Sequence, residues 1–456
     1  MKYRFSMLIY PLLLSGCLSL DPEYQRPTAP VPTTWPTGKN QANVPELAGW
    51  QKVINDRRLT NVVGQALQSN RDLRKAIADI EAARAQYGEE RAALFPALNA
   101  GVDSTRSRTL DSGVTGNADA EGSISSFEVD LFGRNRSLTR EYKELWLASE
   151  ETAKSTRLAL ISETATAWFT LAADKSNLQL TRETMQSAEE TLRITQNRLK
   201  AGVASATDVS EAMTVWQAAR ASEASYRTLV QQDINALNLL VGDSVSVELL
   251  PDTLDNLPEQ TVKLVPAGVS STVLLRRPDV LEAEHNLKSV NASIGAARAS
   301  FFPTLTLTAS AGTASSSLSN LFSGGSGIWS FAPSLTLPLF SGGSNLAALN
   351  YAEAEKKGYV ATYEKTIQTA FSEVADALAR RATLSDQLNA QQEYVEAARQ
   401  SQLLALRSYQ SGIGDYLTVL TAQRTLWSAQ LDLITLKQTD FNNRIDLWQS
   451  LGGGIG

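Results

Sequence analysis

Apolar and polar residues follow two periods along this chain, and the succession of periods occurs twice. Thr304, Thr306, Thr308 and Ser310 alternate with Leu305, Leu307, Ala309 and Ala311, which predicts a strand with differently solvated faces. After a Ser/Gly-rich turn at 315–326, Trp329, Phe331, Leu335, Leu337 and Leu339 interleave with Ser330, Ser334 and Thr336. A thinner version lies upstream. There Leu98, Ala100 and Val102 alternate with Asn99 and Asp103, and Phe127, Val129 and Leu131 with Glu128 and Asp130, leaving the register open. Before each hairpin an amphipathic helix ends at Phe-Pro (Phe95-Pro96, Phe302-Pro303), where proline stops it. After each hairpin comes a very long helix. Residues 135–200 contain no proline, and 66 residues at ~1.5 Å each make a rod of about 100 Å. Leu171, Leu178, Met185, Leu192 and Leu199 recur every seven residues. In the second half Ile367, Ala370, Val374, Ala377, Leu384, Leu388, Val395 and Ala398 keep a heptad frame that Arg381 and Gln391 interrupt. Sustained heptads predict coiled coil.

The long helices end alike. Gly202 and Gly412 suit left-handed C-terminal turns, and Ser205 and Asp415, three residues on, suit N-caps. Ser205-Ala206-Thr207-Asp208 has the form of a capping box. Helices therefore return over 206–240 and 416–450, so each half makes one helical hairpin.

The halves align residue by residue. Leu73–Pro96 lies over Val280–Pro303 at a constant offset of 207, with Arg91 on Arg298, Phe95 on Phe302 and Pro96 on Pro303. Gly202 meets Gly412 at 210, as Val241-Gly242 meets Leu451-Gly452. So small a drift across helix, strand and turn indicates duplication. The expected organisation is a signal segment at 1–16, a lipidated, Pro-rich tether at 17–45, a first repeat at 46–242, a connector at 243–268 and a second repeat at 269–456. The first repeat holds a β-hairpin at 97–133 and a tip at 201–205, the second a β-hairpin at 304–340 and a tip at 411–415. The fold class is mixed, mostly α, with four transmembrane β-strands per protomer.

Composition narrows the chemistry. The 456 residues carry 42 Lys+Arg against 48 Asp+Glu, one histidine and one cysteine. No basic stripe suggests nucleic acid, and a disulfide framework or a Cys/His zinc site is close to excluded. Nothing forms a nucleophile–base pair or a metal cluster, so neither enzyme activity nor a cofactor is expected. Lys2 and Arg4 precede a short apolar stretch interrupted by Pro11 and ending in Leu14-Ser15-Gly16-Cys17. This has the form of a secretory signal and resembles the bacterial lipobox, whose cysteine takes a covalent lipid. Leu18 after it favours the outer membrane, and Pro22, Pro27, Pro30, Pro32 and Pro36 then read as an extended tether.

Strands of about ten residues match the span of a tilted outer-membrane strand. Four cannot close around a lumen, and lipid tolerates no open edge, so copies must share a barrel. Two give eight strands and a filled interior; three give twelve and an open channel.

Asn70-Arg71-Asp72-Leu73-Arg74, Phe127 through Arg134, Arg276-Arg277-Pro278-Asp279, Ile294 through Arg298, Phe301-Phe302-Pro303 and Leu451 through Gly454 resemble the TolC superfamily of outer-membrane factors, closest to its lipidated OprM/CusC-type branch. The resemblance spans essentially the whole mature chain. It implies a homotrimer with a twelve-stranded barrel on a long periplasmic α-helical barrel, in the outer membrane and in contact with its lipid. The implied role is the exit duct of a tripartite multidrug pump, with a periplasmic adaptor (membrane fusion protein) and an inner-membrane transporter of RND type. Type I protein secretion or heavy-metal efflux is the alternative; Met1, Met7, Met185 and Met213, the only methionines, weigh against a metal relay. The resemblance also implies a gate at Leu417 and Thr421, where similar proteins carry leucine and aspartate. Threonine removes the carboxylate ring, for which Asp415 is a candidate substitute besides its capping role. Tyr416 and Arg424 belong to the same tip, and Gly202, Ser205, Gly412 and Gly414 to the turns expected to meet the adaptor. Glu128 and Asp130 face the lumen or form strand-end salt bridges. His285, beside Glu282 and Glu284, reads as solvated or packed, and Arg276-Arg277-Pro278-Asp279 as the shaping of a helix start. A scaffold lipoprotein that never crosses the membrane would lack the two alternating hairpins.

Overall fold

The computed structural model describes residues 19–36, 48–109, 113–264 and 270–454, so Cys17 lies outside the described residues. In chain order the elements are α1 (Trp50–Val53), α2 (Arg57–Ser69), α3 (Arg71–Ala92), β1 (Leu98–Thr109), β2 (Gly113–Val129), α4 (Arg134–Lys200), α5 (Ala206–Val241), α6 (Pro278–Ala299), β3 (Thr304–Ser315), β4 (Gly327–Thr336), α7 (Ser344–Gln410) and α8 (Tyr416–Ser450). The duplication is visible in element length. Helices α3 and α6 have 22 residues each, and α4 and α7 have 67 each. No described helix is long and apolar enough to cross a membrane.

The chain folds as two units. One comprises residues 1–29, 77–152 and 279–366 and contains an antiparallel sheet in the order β1-β2-β3-β4. Strands β2 and β3 pair the first hairpin to the second, leaving β1 and β4 as edges. Pro333 is tolerated on the edge strand β4 because fewer of its N–H positions are needed there. Strand β2 is longer than the alternation suggests, with 17 residues. Its polar stretch from Gly116 to Ser123 carries little strand signal, yet β1 supplies partners to all of it and β3 to most. Strand β4 stops at Thr336, before Leu337 and Leu339, since Pro338 offers no donor to extend it.

A bulge settles the open register of the first hairpin. The β2–β3 register shifts between Ile124 and Phe127. Ser126 takes a positive φ of 52°, and its N–H donates to Thr308 Oγ1 at 3.3 Å. The extra residue reverses parity, so Ile124, Gly122 and Ala120 continue the face of Phe127 and Val129. Directly opposed residues share a face. One side of the sheet therefore carries Leu98, Ala100 and Val102, then Ile124, Phe127 and Val129, then Leu305, Leu307 and Ala309, then Phe331 and Leu335.

In the same unit the segment after Cys17 is extended but docked. Asp21 accepts from Ser137 Oγ and Arg140 Nε, both at 2.6 Å. The Pro22 carbonyl accepts from Asn291 at 2.8 Å, and Arg26 pairs with the buried Glu284. Gly295 makes the crossing possible, for a Cβ there would lie 1.8 Å from an Asp21 oxygen.

The other unit comprises residues 30–76, 153–278 and 367–456. Its core packs Leu59 and Val62 of α2 against Trp168, Phe169 and Leu171 of α4, Leu237 of α5 and Ile445 and Trp448 of α8. The heptad frame of α7 is buried as expected at Ile367, Ala370, Val374, Leu384, Val395 and Ala398. Its two interruptions have partners on α8: Arg381 pairs with Asp440, and Gln391 Nε2 donates to the Ala429 carbonyl at 2.9 Å. Arg277 does more than shape a helix start. It donates to the Ser450 carbonyl at 2.7 Å and pairs with Glu373 at 2.8 Å, holding the end of α8 to α7.

Candidate functional site

The two helical-hairpin tips share one construction. Gly202 and Gly412 both adopt φ of 77°. The amide of Val203 reaches the Arg198 carbonyl at 2.9 Å, and that of Ile413 reaches the Ser408 carbonyl at 3.0 Å, which satisfies the last helical carbonyls. Ser205 and Asp208 form a complete capping box at 2.9 and 3.1 Å. Asp415 accepts from the Thr418 N–H at 2.7 Å and so acts as the N-cap of α8. That bond holds its carboxyl below the usual carboxylate range.

The tips are joined by a small apolar core of Leu192, Ala212, Tyr409, Tyr416, Val419 and Leu420. The Tyr409 and Tyr416 rings meet edge-on, with centroids 5.4 Å apart, and the Arg198 guanidinium lies 4.6 Å above Tyr409. Tyr416 is 3% exposed, and burial, with Tyr409 beside it, pushes its hydroxyl up to about 12. It is thus a packing residue of the tip, whereas Leu417, one residue on around the helix, is 60% exposed. Thr421 is exposed on the same helix, one turn from Leu417, whose carbonyl its hydroxyl bonds at 2.9 Å. Arg424 continues that exposed side, and Gly414 is half-buried at the turn.

In the other unit, Glu128 and Asp130 are spent on strand-end ion pairs. Glu128 receives Arg134 through two bonds, at 2.9 and 2.6 Å, and Asp130 receives Arg136 at 3.0 Å. A carboxylate paired to a neighbouring guanidinium leaves little net field, so these two do not set the charge of the polar face. The carboxylates that do are Asp103, opposite Asp119, and Glu121, opposite Gly101. Sequence reading passed over Asp119 and Glu121 because the bulge that fixes their parity is invisible in the pattern. His285 bonds Glu144 at 2.7 Å, a packed histidine. Among the described residues no three His, Cys, Asp or Glu side chains could hold a metal.

The sequence profile of the outer membrane efflux protein family matches residues 62–243 and 269–453. The antibiotic efflux pump outer membrane protein ArpC and the toluene efflux pump outer membrane protein TtgC, both of Pseudomonas putida, are 44% identical over 467 residues. The match covers 99% of this chain and 96% of each relative. The open-state crystal structure of the Neisseria gonorrhoeae outer membrane channel MtrE superposes with a TM-score of 0.87 at 34% identity, covering 96% of this chain and 98% of that one.

Proposed function

This chain belongs to the outer membrane efflux protein family, and from that membership we propose that three copies close one conduit, lipid-anchored at Cys17 and gated at the second helical tip. The protein is an outer-membrane component of an efflux pump; what we add is how its residues would do the work. One observation carries the reading. The sheet presents a continuous apolar face and two unpaired edges, β1 and β4, which run in opposite directions. Each edge therefore offers the antiparallel partner that the other edge of a second copy needs, and lipid permits no edge to stay open. Two copies would give eight strands with an interior filled by side chains; three copies give twelve around water. The polar face, with Asp103, Asp119 and Glu121, then lines the lumen.

The docked segment at Asp21–Arg26 supports the anchor, for it starts a few residues after Cys17 at the helix-bearing end of the strands. The Schellman-type turns at Gly202 and Gly412 expose Val203 and Ile413, an apolar pair suited to the periplasmic adaptor that links this duct to an RND-type transporter. Organic solvents and antibiotics, the cargo in the names of the relatives, are the substrates of this reading.

Two measurements test it. In planar bilayers Leu417→Ala should raise single-channel conductance severalfold, because the exposed leucine would narrow the tip. Asp415→Asn should leave conductance unchanged, since asparagine keeps the N-cap and removes only the charge. A rise in Asp415→Asn would make the aspartate the gate; no change in Leu417→Ala would take this helix out of the gate. Replacing Asp103, Asp119 and Glu121 together by Asn, Asn and Gln should bring the permeability ratio of potassium over chloride down toward one, as the lumen loses its fixed negative charge. An unaltered ratio would place the polar face away from the water path.

A further inference from the structure

On the apolar face of the sheet, β1 does not end with Val102. The same parity continues through Ser104, Arg106 and Arg108, which stand opposite Ala118, Gly116 and Val114. Two arginines therefore lie on the side that meets lipid, an arrangement that costs energy at the midplane and little at an interface. Both side chains are exposed, and among the described residues neither has an ion pair. The residues facing them across the strand pair, Gly116 and Val114, carry no carboxylate. The nearest described acidic residues of the hairpin, Asp103, Asp119 and Glu121, project from the opposite face. Among its described residues the hairpin offers these cations no carboxylate on their own face.

Register gives their level. The apolar face begins at the row of Val129, Leu305 and Leu335 and runs up to Val102 and Ala120. Each row advances two residues, roughly 5 Å along the normal for a strand tilted by ~40°. Arg106 falls roughly 30 Å above the first row, just past an apolar band of about 25 Å. The direction is also fixed within this unit. Helices α3, α4, α6 and α7 and the docked Asp21 adjoin the Leu98/Val129 end, whereas Arg106 and Arg108 lie toward the opposite end, where β1 gives way to β2. With the helices and the anchor on the periplasmic side, as proposed above, that end is the one turned away from the cell.

We propose that Arg106 and Arg108 bind the phosphate of an outer-leaflet glycolipid, a phosphorylated glucosamine lipid, at the rim of the barrel. Cα atoms two apart on a strand are separated by ~6.8 Å, so both guanidinium forks reach one phosphate group, and the planar fork matches phosphate oxygens through paired hydrogen bonds. The acyl chains of that lipid then lie along Val102, Ala100 and Leu98 below. This inference rests on the apolar face meeting the membrane, and its test separates the two.

Full-length protein, purified in detergent and stripped of lipid, is titrated with bisphosphorylated lipid A, with the same lipid after phosphatase treatment, with phosphatidylglycerol and with inorganic phosphate. Retained lipid is counted by native mass spectrometry, and folding is read separately from heat-modifiable migration. Bisphosphorylated lipid A should bind the parent protein on the order of tenfold more tightly than Arg106→Gln/Arg108→Gln, with migration unchanged. Removing the phosphates should abolish the difference. Equal binding by parent and variant, or by phosphatidylglycerol or inorganic phosphate as well as lipid A, overturns the proposal. If the double variant does not fold, the phosphorylated and dephosphorylated lipids compared on the parent protein still decide it. Failure of the membrane reading would appear instead as absent channel conductance.

Discussion

Replacing Arg444 by alanine should destabilise the helical core of its unit by about 3–5 kcal/mol, the usual cost of removing one partner of a buried ion pair. The side chain is 4% exposed. Its Nη1 donates to the carbonyls of Glu259 and Val262 at 2.7 and 3.0 Å, and its Nη2 pairs with Asp440 at 2.6 Å. Arginine is suited here because one planar fork serves two carbonyls and the carboxylates of Asp440 and Glu259 at once. Alanine would strip both carbonyls of a donor, while Asp440 would keep Arg381, which puts the effect in the lower part of that range. Lysine should recover only part, as its single ammonium cannot span the set. The local readout is hydrogen exchange at Asn55 and Lys263, whose amides bond the Thr261 and Val53 carbonyls at 2.9 Å. Both depend on the connector that Arg444 pins. Protection unchanged from the parent protein would show that the connector is held by its apolar contacts alone.

The second large effect is expected at Gly312. A Cβ on this residue would stand 2.1 Å from the Ala120 carbonyl oxygen and 2.6 Å from Glu121 Cα. Both are backbone atoms of β2, which cannot turn aside as a side chain can. Gly312→Val should therefore open the β2–β3 seam, the pairing that unites the duplicated hairpins in one sheet. Folded, heat-modifiable protein should disappear from the outer membrane, with loss of efflux in cells that depend on this duct. Gly122→Ala is the control. It lies two residues from Ala120 on β2, but a Cβ there meets only carbonyl oxygens at 3.9 Å, so it should assemble as the parent does. Normal assembly of Gly312→Val would mean that the seam tolerates a wider strand spacing than it shows.

The candidate site was partly legible in the residues. Caps and turns at Gly202, Ser205, Gly412 and Asp415 were readable because each is settled within a few residues by local hydrogen bonding. Leu417 and Tyr416 are neighbours in sequence and opposites in environment: the second hairpin tip packs on the first, and only that packing makes one a core residue. Likewise Glu128 and Asp130 have the parity of lumen residues, but arginines placed six residues on by the start of α4 take them up.

What the sequence alone determined is everything governed by a period: two halves in register, hairpin strands with a lipid side, very long helices and the turns that end them. Periodicity survives in the chain because secondary structure repeats over short distances. The tertiary structure alone decided the bulge at Ser126, the length of β2, the docking of Asp21 over Gly295 and the partners of Arg381, Arg277 and Arg444. Each depends on a group scores or hundreds of residues away, and a polar stretch becomes a strand, or a charge becomes buried, only when that distant partner satisfies its hydrogen bonds.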